Sequence, residues 1–243
     1  MPSKSTPPKS SNDSGDVKFP KPIDLDALPK LESDITLGEK GTILNRWSIT
    51  PKELTELVDE NPSLRGMMLG YVAEHKFREL IEEHPHISAT HKHDDHDRKR
   101  KSDRVLVYKG EEFTIEVKSL QTNLVKQDGD IWRGRAQVDG SDRRVIKFPD
   151  GTELNTTLLL HGQFDILAVN CFAFENQWHF AFALNRDLPK STFSRYTEKQ
   201  RDQLIASLVP VSWPPEPPFV SDPIPLVEIL YQERLKSRQR EGS

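Results

Sequence analysis

Apolar positions along the chain alternate between two periods. In SLRGMMLGYVAEHKFRELIEEHP, Met67, Leu69, Tyr71, Val72, Phe77, Leu80 and Ile81 fall largely on one stripe of a 3.6-residue helix, and Pro85 stops it. Just upstream, SITPKELTELVDENP predicts a capped helix with Thr50 as N-cap, Pro51 at the first helical position and Glu53 in the first turn, ended by Pro62. The period then shortens. SDRVLVYKGEEFTIEVKSLQ contains two strands, at about 103–109 and 112–120, around a Lys109-Gly110 turn. RVIKF and TELNTTLLL read as strands joined by a PDG turn. GQFDILAVNCFAFENQWHFAFAL is the most apolar stretch and predicts two buried strands joined at Glu175-Asn176-Gln177.

The remaining segments are polar or punctuated. Residues 84–101 read as a polar loop, and 121–142, with Gly129, Gly134 and Gly140 among charges, match neither period. TEKQRDQLIASLV predicts a short helix, WPPEPP a stiff connector and PLVEILYQERLKSRQR a terminal amphipathic helix. Residues 1–22 are rich in Pro, Ser and Lys and bury too little apolar area to offset ordering entropy, so they read as a disordered tail. We therefore divide the chain into that tail, an N-terminal helical extension (23–60), a core (61–210), and a Pro-rich connector with a C-terminal helix (211–243).

Composition narrows the class. No apolar run approaches 18 residues, so a membrane span is excluded, and the first residues contain no secretory h-region. A lone Cys171 fits a reducing, cytoplasmic setting and reads as a small buried hydrophobe. The net charge is −4, yet residues 91–147 carry 14 Arg and Lys against 11 Asp and Glu. A nucleic acid would meet that positive part, with Arg98, Lys99, Arg100, Lys101, Arg133, Arg135, Arg143 and Arg144 as candidate phosphate contacts.

The charges inside the hairpin carry the chemistry. A two-residue loop at Lys109-Gly110 places Asp103 directly opposite Glu116, and Lys118, two residues on, points the same way. Leu106, Tyr108, Phe113, Ile115 and Val117 then form the apolar face, with Arg104 near the strand end. Two carboxylates so close resist ionisation unless a cation lies between them, and Mg²⁺ favours hard oxygen ligands. An amine beside such a site can orient water or neutralise charge on a phosphate.

The order of these parts, a helix bearing Glu74, then Asp103, then Glu116-Val117-Lys118, resembles the PD-(D/E)XK nuclease superfamily over about residues 65–185. Ser102 stands where the family name has Pro. The resemblance implies an α/β, restriction-endonuclease-like core: a central mixed β-sheet flanked by helices. It also implies Asp103 and Glu116 as metal ligands, with the carbonyl of Val117 as a third, and Lys118 as the group that assists attack by water. Glu74 and Gln137 would support the site. Mg²⁺ is the implied cofactor, with Mn²⁺ able to substitute, and the implied activity is endonucleolytic cleavage, of duplex DNA first of all, in a restriction or defence setting. A homodimer or a subunit of a larger complex fits such a role. Two other readings remain open: a non-catalytic nucleic-acid-binding or assembly module on the same fold, and a zinc site in the loop that gathers His84, His86, His91, His93 and His96 with Asp94, Asp95 and Asp97.

Overall fold

The computed structural model of the protein describes residues 41–91 and 102–241. The predicted tail, the basic run Arg98, Lys99, Arg100 and Lys101, and His93, His96, Asp94, Asp95 and Asp97 lie outside them. The described residues fall into two units that divide between Leu54 and Thr55. In the first, α1 (Ile43–Trp47) is capped by Thr42, whose Oγ1 accepts from the Asn45 N–H at 3.1 Å. Thr50 and Glu53 then form the reciprocal cap expected from the sequence: the Thr50 N–H donates to Glu53 Oε2 at 2.7 Å and the Glu53 N–H to Thr50 Oγ1 at 3.2 Å. That cap opens α2 (Pro51–Glu60).

The second unit is built on a mixed sheet. Its strands are β1 (Ile87–His91), β2 (Arg104–Tyr108), β3 (Glu111–Ser119), β8 (Ile166–Asn170) and β9 (Phe180–Leu184), in the order β1-β2-β3-β8-β9. β3 pairs antiparallel with β2 and parallel with β8. Lys109 and Gly110 take φ of 50° and 79°, the positive values that a two-residue turn of the hairpin type requires. All ten residues of β8 and β9 are buried, which is why both read as unbroken apolar runs.

Helix α3 (Pro62–Glu82) packs Phe77 and Ile81 on one face of the sheet against Leu106, Phe113, Ile115 and Val117. α6 (Ile224–Glu241) covers the same face with Leu226 and Val227. Ion pairs fix α6 to the sheet: Arg238 to Glu111, at the start of β3, at 2.7 Å, and Arg234 to Asp165, just before β8, at 3.0 Å, its guanidinium 4.3 Å from the centre of the Phe113 ring. None of the described helices is long and apolar enough to cross a membrane.

The opposite face meets a second core, to which β5 (Ile131–Gln137) and β10 (Leu208–Trp213) contribute. These two strands and β4 (Lys126–Asp128) form a sheet ordered β10-β5-β4. β6 (Asp139–Lys147) and β7 (Glu153–Leu158) make a separate ribbon around the predicted PDG turn.

Several expectations need correction. The stripe read on α3 is not a core stripe: Met67 and Tyr71 are each 62% exposed, and Val72 and Leu80 are exposed as well. The first half of that helix borders a cleft rather than the sheet, so only Ala73, Phe77 and Ile81 are buried. Ile87–His91, read as loop, adds an edge strand to β2. Phe172, Ala173 and Phe174, which the sequence predicts as strand, belong with Glu175 to one helical turn (α4, Phe172–Glu175), and α5 (Glu198–Gln203) ends before the predicted helical stretch 204–209. The unassigned 121–142 stretch holds β4, β5 and the start of β6.

β5 approaches so closely because residue 134 is glycine. A Cβ there would lie 2.9 Å from the Phe174 ring and 3.4 Å from Leu120. Gly134→Ala is expected to cost about 1–3 kcal/mol by overpacking, read as a lowered midpoint in denaturant at unchanged slope. An unchanged midpoint would show that the ring yields freely.

Candidate active site

β2 stops at Arg104, which pairs with Ile115, so beyond that point β3 has lost its antiparallel neighbour. Asp103 takes over: its Oδ2 accepts the Val117 N–H at 2.8 Å. A strand residue turns its N–H and C=O to the same side, so the Val117 carbonyl is aimed at the edge where Asp103 stands. The register of the hairpin carries Asp103 to the level of Glu116, as a two-residue turn demands.

Glu116 and Lys118 project from the other side of β3 from Ile115 and Val117, and share that face with their β8 partners Leu167 and Val169. Those apolar neighbours account for the burial of Glu116, which is 4% exposed. Its Oε1 meets Lys118 Nζ at 2.8 Å. Its Oε2 is a buried acceptor without a hydrogen-bond partner among the described residues. Burial, reinforced by repulsion from Asp103, pushes the Glu116 carboxyl up to about 7 despite the attraction of Lys118. For Lys118, burial is the largest influence and favours the neutral amine. The charges of Glu116 and Asp103 outweigh it, and the amine is held above its ordinary value.

A cleft of about 750 Å³ opens beside this group. α3 contributes Gly66, Gly70 and Glu74 to its wall; the hairpin contributes Asp103, Val117 and Lys118; Gln137, Asp139 and Gly140 come from β5 and β6. Sequence reading gathers five of these, Glu74, Asp103, Val117, Lys118 and Gln137, and the structure brings them together, with Glu116 in contact with Lys118. Gln137 accepts a hydrogen bond from Gln121 Nε2. Asp139 was not read as a site residue, although its charge acts on Lys118. The signal was its place two residues beyond Gln137, hidden because no period was legible there.

The candidate phosphate contacts separate into two kinds. Arg133 and Arg135 are exposed on β5, on the face that also carries Gln137, and Arg143 is exposed on β6. Lys126 is the cross-strand partner of Arg133, which also pairs with Glu216 at 3.0 Å. Arg144 differs: it is half-buried, and its Nη2 donates to the Leu158 carbonyl at 3.1 Å and to Gln163 Oε1 at 2.8 Å. Of the histidines, His84 lies 3.9 Å from Asp222 and His91 3.8 Å from Glu112. Among the described residues no group of three or more His, Cys, Asp or Glu is placed to hold a metal. Cys171 is free and buried, and burial pushes its thiol up to about 12.

Comparison with protein families and with characterised proteins returns no match. Among solved structures, a bacterial homing endonuclease aligns over 55% of this chain and 85% of its own, at 15% identity and a TM-score of 0.31. Likeness of that degree carries no argument about chemistry, which rests here on the side chains themselves.

The buried carboxyl has a measurable signature. Folded, Glu116 keeps its proton to about pH 7, whereas the unfolded chain releases it near the ordinary value of about 4.3. Between these values the folded state binds more protons, so stability falls as pH rises through that window. Glu116→Gln removes this loss. In EDTA at pH 8 its melting temperature is expected to exceed wild type by several degrees, since the full linkage is on the order of 3 kcal/mol, and the gap narrows towards pH 4. A variant less stable than wild type at pH 8 but not at pH 5 would mean that the ionised carboxylate stabilises the fold.

Proposed function

We propose that the protein is a divalent-metal-dependent nuclease of the PD-(D/E)XK type, acting on DNA as an endonuclease. The observation that carries this reading is the Oε2 of Glu116, a buried acceptor with no hydrogen-bond partner among the described residues, set beside Asp103 and Lys118. Burying a carboxylate in this way costs stability, and a hard cation offsets that cost. Mg²⁺, or Mn²⁺ in its place, would be held by the Asp103 carboxylate, Glu116 Oε2 and the Val117 carbonyl. When bound it supplies Lewis acidity at a phosphoryl oxygen and lowers the pKa of a bound water.

The chain's own groups do the rest. Lys118 orients the attacking water and answers the negative charge that develops on the phosphate. Glu74, across the cleft on α3, and Gln137, at the end of β5, position water and substrate. Arg133 and Arg135, roughly 7 Å apart along β5, lead a strand of nucleic acid over the exposed face of that sheet towards Gln137. Cutting both strands of a duplex commonly uses two such clefts, which two copies of the chain would supply.

Incubation with plasmid and with duplex, single-stranded and branched oligonucleotides, with and without Mg²⁺ or Mn²⁺, tests the reading. Cleavage is expected only with metal. Lys118→Ala should lower the single-turnover rate by on the order of 10² to 10³ while changing affinity for uncut substrate in Ca²⁺ far less. Binding to all of these substrates with cleavage of none would make the protein a non-catalytic module. For the sheet face, replacing Arg133 and Arg135 by Gln is expected to reduce the slope of log Kd against log salt by about 1–2; an unchanged slope would place the nucleic acid elsewhere.

A further inference from the structure

β6 does not pair evenly with β7. Asp139 stands opposite Leu158 and Arg144 opposite Thr156, so the strand bulges between them. The Arg144 side chain folds back across that bulge. Its Nη2 bonds the carbonyl of Leu158, the partner of Asp139, so the guanidinium lies at the level of the cleft rather than at its own position in the ribbon. Gln163 Oε1 accepts from the same Nη2 at 2.8 Å and also from the Leu160 N–H at 3.2 Å, which fixes the acceptor in turn.

The other edge of the guanidinium lies beside Gly140, which lines the cleft, although Arg144 itself does not. A Cβ at Gly140 would be 2.9 Å from Arg144 Nη1, and Gly140, like Asp139, lines the cleft. Both hydrogen bonds that Arg144 makes to described residues use Nη2, so the Nη1 edge is turned to the Gly140 side. A surface arginine that meets phosphate in passing is flexible and solvated. This one is pre-oriented by two acceptors, half-buried, and near enough to Glu116 for the two charges to act on each other.

We propose that Arg144 is a catalytic residue of the cleft, a fixed guanidinium that donates from its Nη1 edge to a non-bridging oxygen of the phosphate being cut. The proposal rests on the reading of the cleft as a nuclease site. Its role is distinct from that of Arg133 and Arg135, which add affinity along the strand. A guanidinium held in place costs no reorganisation when charge develops on the phosphate, so its effect falls on rate more than on binding. Its planar fork cannot be reproduced by an ammonium.

The experiment compares wild type with Arg144→Gln, Arg144→Lys and Arg144→Ala, using Lys147→Gln on the same strand as control, since that residue is exposed and pairs with Glu153. Single-turnover cleavage is expected to fall by on the order of 10² to 10³ in Arg144→Gln, to recover little in Arg144→Lys, and to stay at wild-type rate in Lys147→Gln. The dissociation constant for uncut duplex in Ca²⁺ should change by less than about 3-fold, because many basic groups share the phosphate contacts. Guanidinium ion at millimolar concentration should restore part of the rate in Arg144→Ala, and urea, its neutral counterpart, should not.

A readout without metal separates this proposal from the nuclease reading. In EDTA, wild type should bind a 5′-phosphorylated oligonucleotide more tightly than the same oligonucleotide without the phosphate, and Arg144→Gln should lose that preference. Full activity in Arg144→Lys would overturn the proposal, and so would a rate loss matched by an equal loss of affinity. Equal rescue by guanidinium and urea, or a lowered melting temperature with no rescue, would make Arg144 a brace for the bulge. If wild type cuts nothing but the end-phosphate preference still depends on Arg144, the nuclease reading fails while the phosphate site stands.

Discussion

A carboxylate flanked on its sheet by Leu167 and Val169, and 4% exposed, resists ionisation, and the groups around Glu116 are arranged about that penalty. Lys118 offsets part of it from one oxygen, Asp103 worsens it from the neighbouring strand end, and the other oxygen has no hydrogen-bond partner among the described residues. Nothing in folding requires such an arrangement. A buried ion pair seldom stabilises a protein more than apolar residues of the same volume would. The charge is kept where it is costly, and sites of chemistry are where such violations of packing rules concentrate.

β3 serves two ends. At its beginning, Arg234 and Arg238 of the C-terminal helix fasten it through Asp165 and Glu111, and the Thr114 N–H and hydroxyl both donate to Asp165. At its far end the antiparallel neighbour is gone, and Asp103, Val117 and Lys118 face the cleft. Satisfied polar groups hold one end while the other is left open to ligands. That division lets a strained electrostatic group sit on a rigid support.

The hairpin was legible because its information is local. Turn, register and alternation all lie within Asp103–Lys118, and a two-residue turn permits one pairing only. Asp139 and the shape of the cleft were not legible, since they depend on β5 crossing to Leu120, a contact set by the absence of a side chain at Gly134. The stripe on α3 misled for a related reason. Apolar spacing says that a face is apolar, not what covers it, and the small residues Gly66 and Gly70 that turn to the cleft leave no periodic mark. Arg144 reads in sequence as one more basic residue, because the acceptors that fix it, at 158 and 163, are remote in the chain.

The Lys109-Gly110 turn lies six residues from Asp103, at the other end of β2, roughly 20 Å from the cleft at strand spacing. It nonetheless decides which carboxylate meets which. A one-residue slip of register there would turn Asp103 to the apolar face and, with it, lift the buried Leu106 and Tyr108 out of the core, so the core and the cleft hold the same pairing. A change in the length of that loop is therefore tolerated only where the turn absorbs it without moving the pairing. A surface turn thus answers to a constraint of register that the core and the cleft impose together.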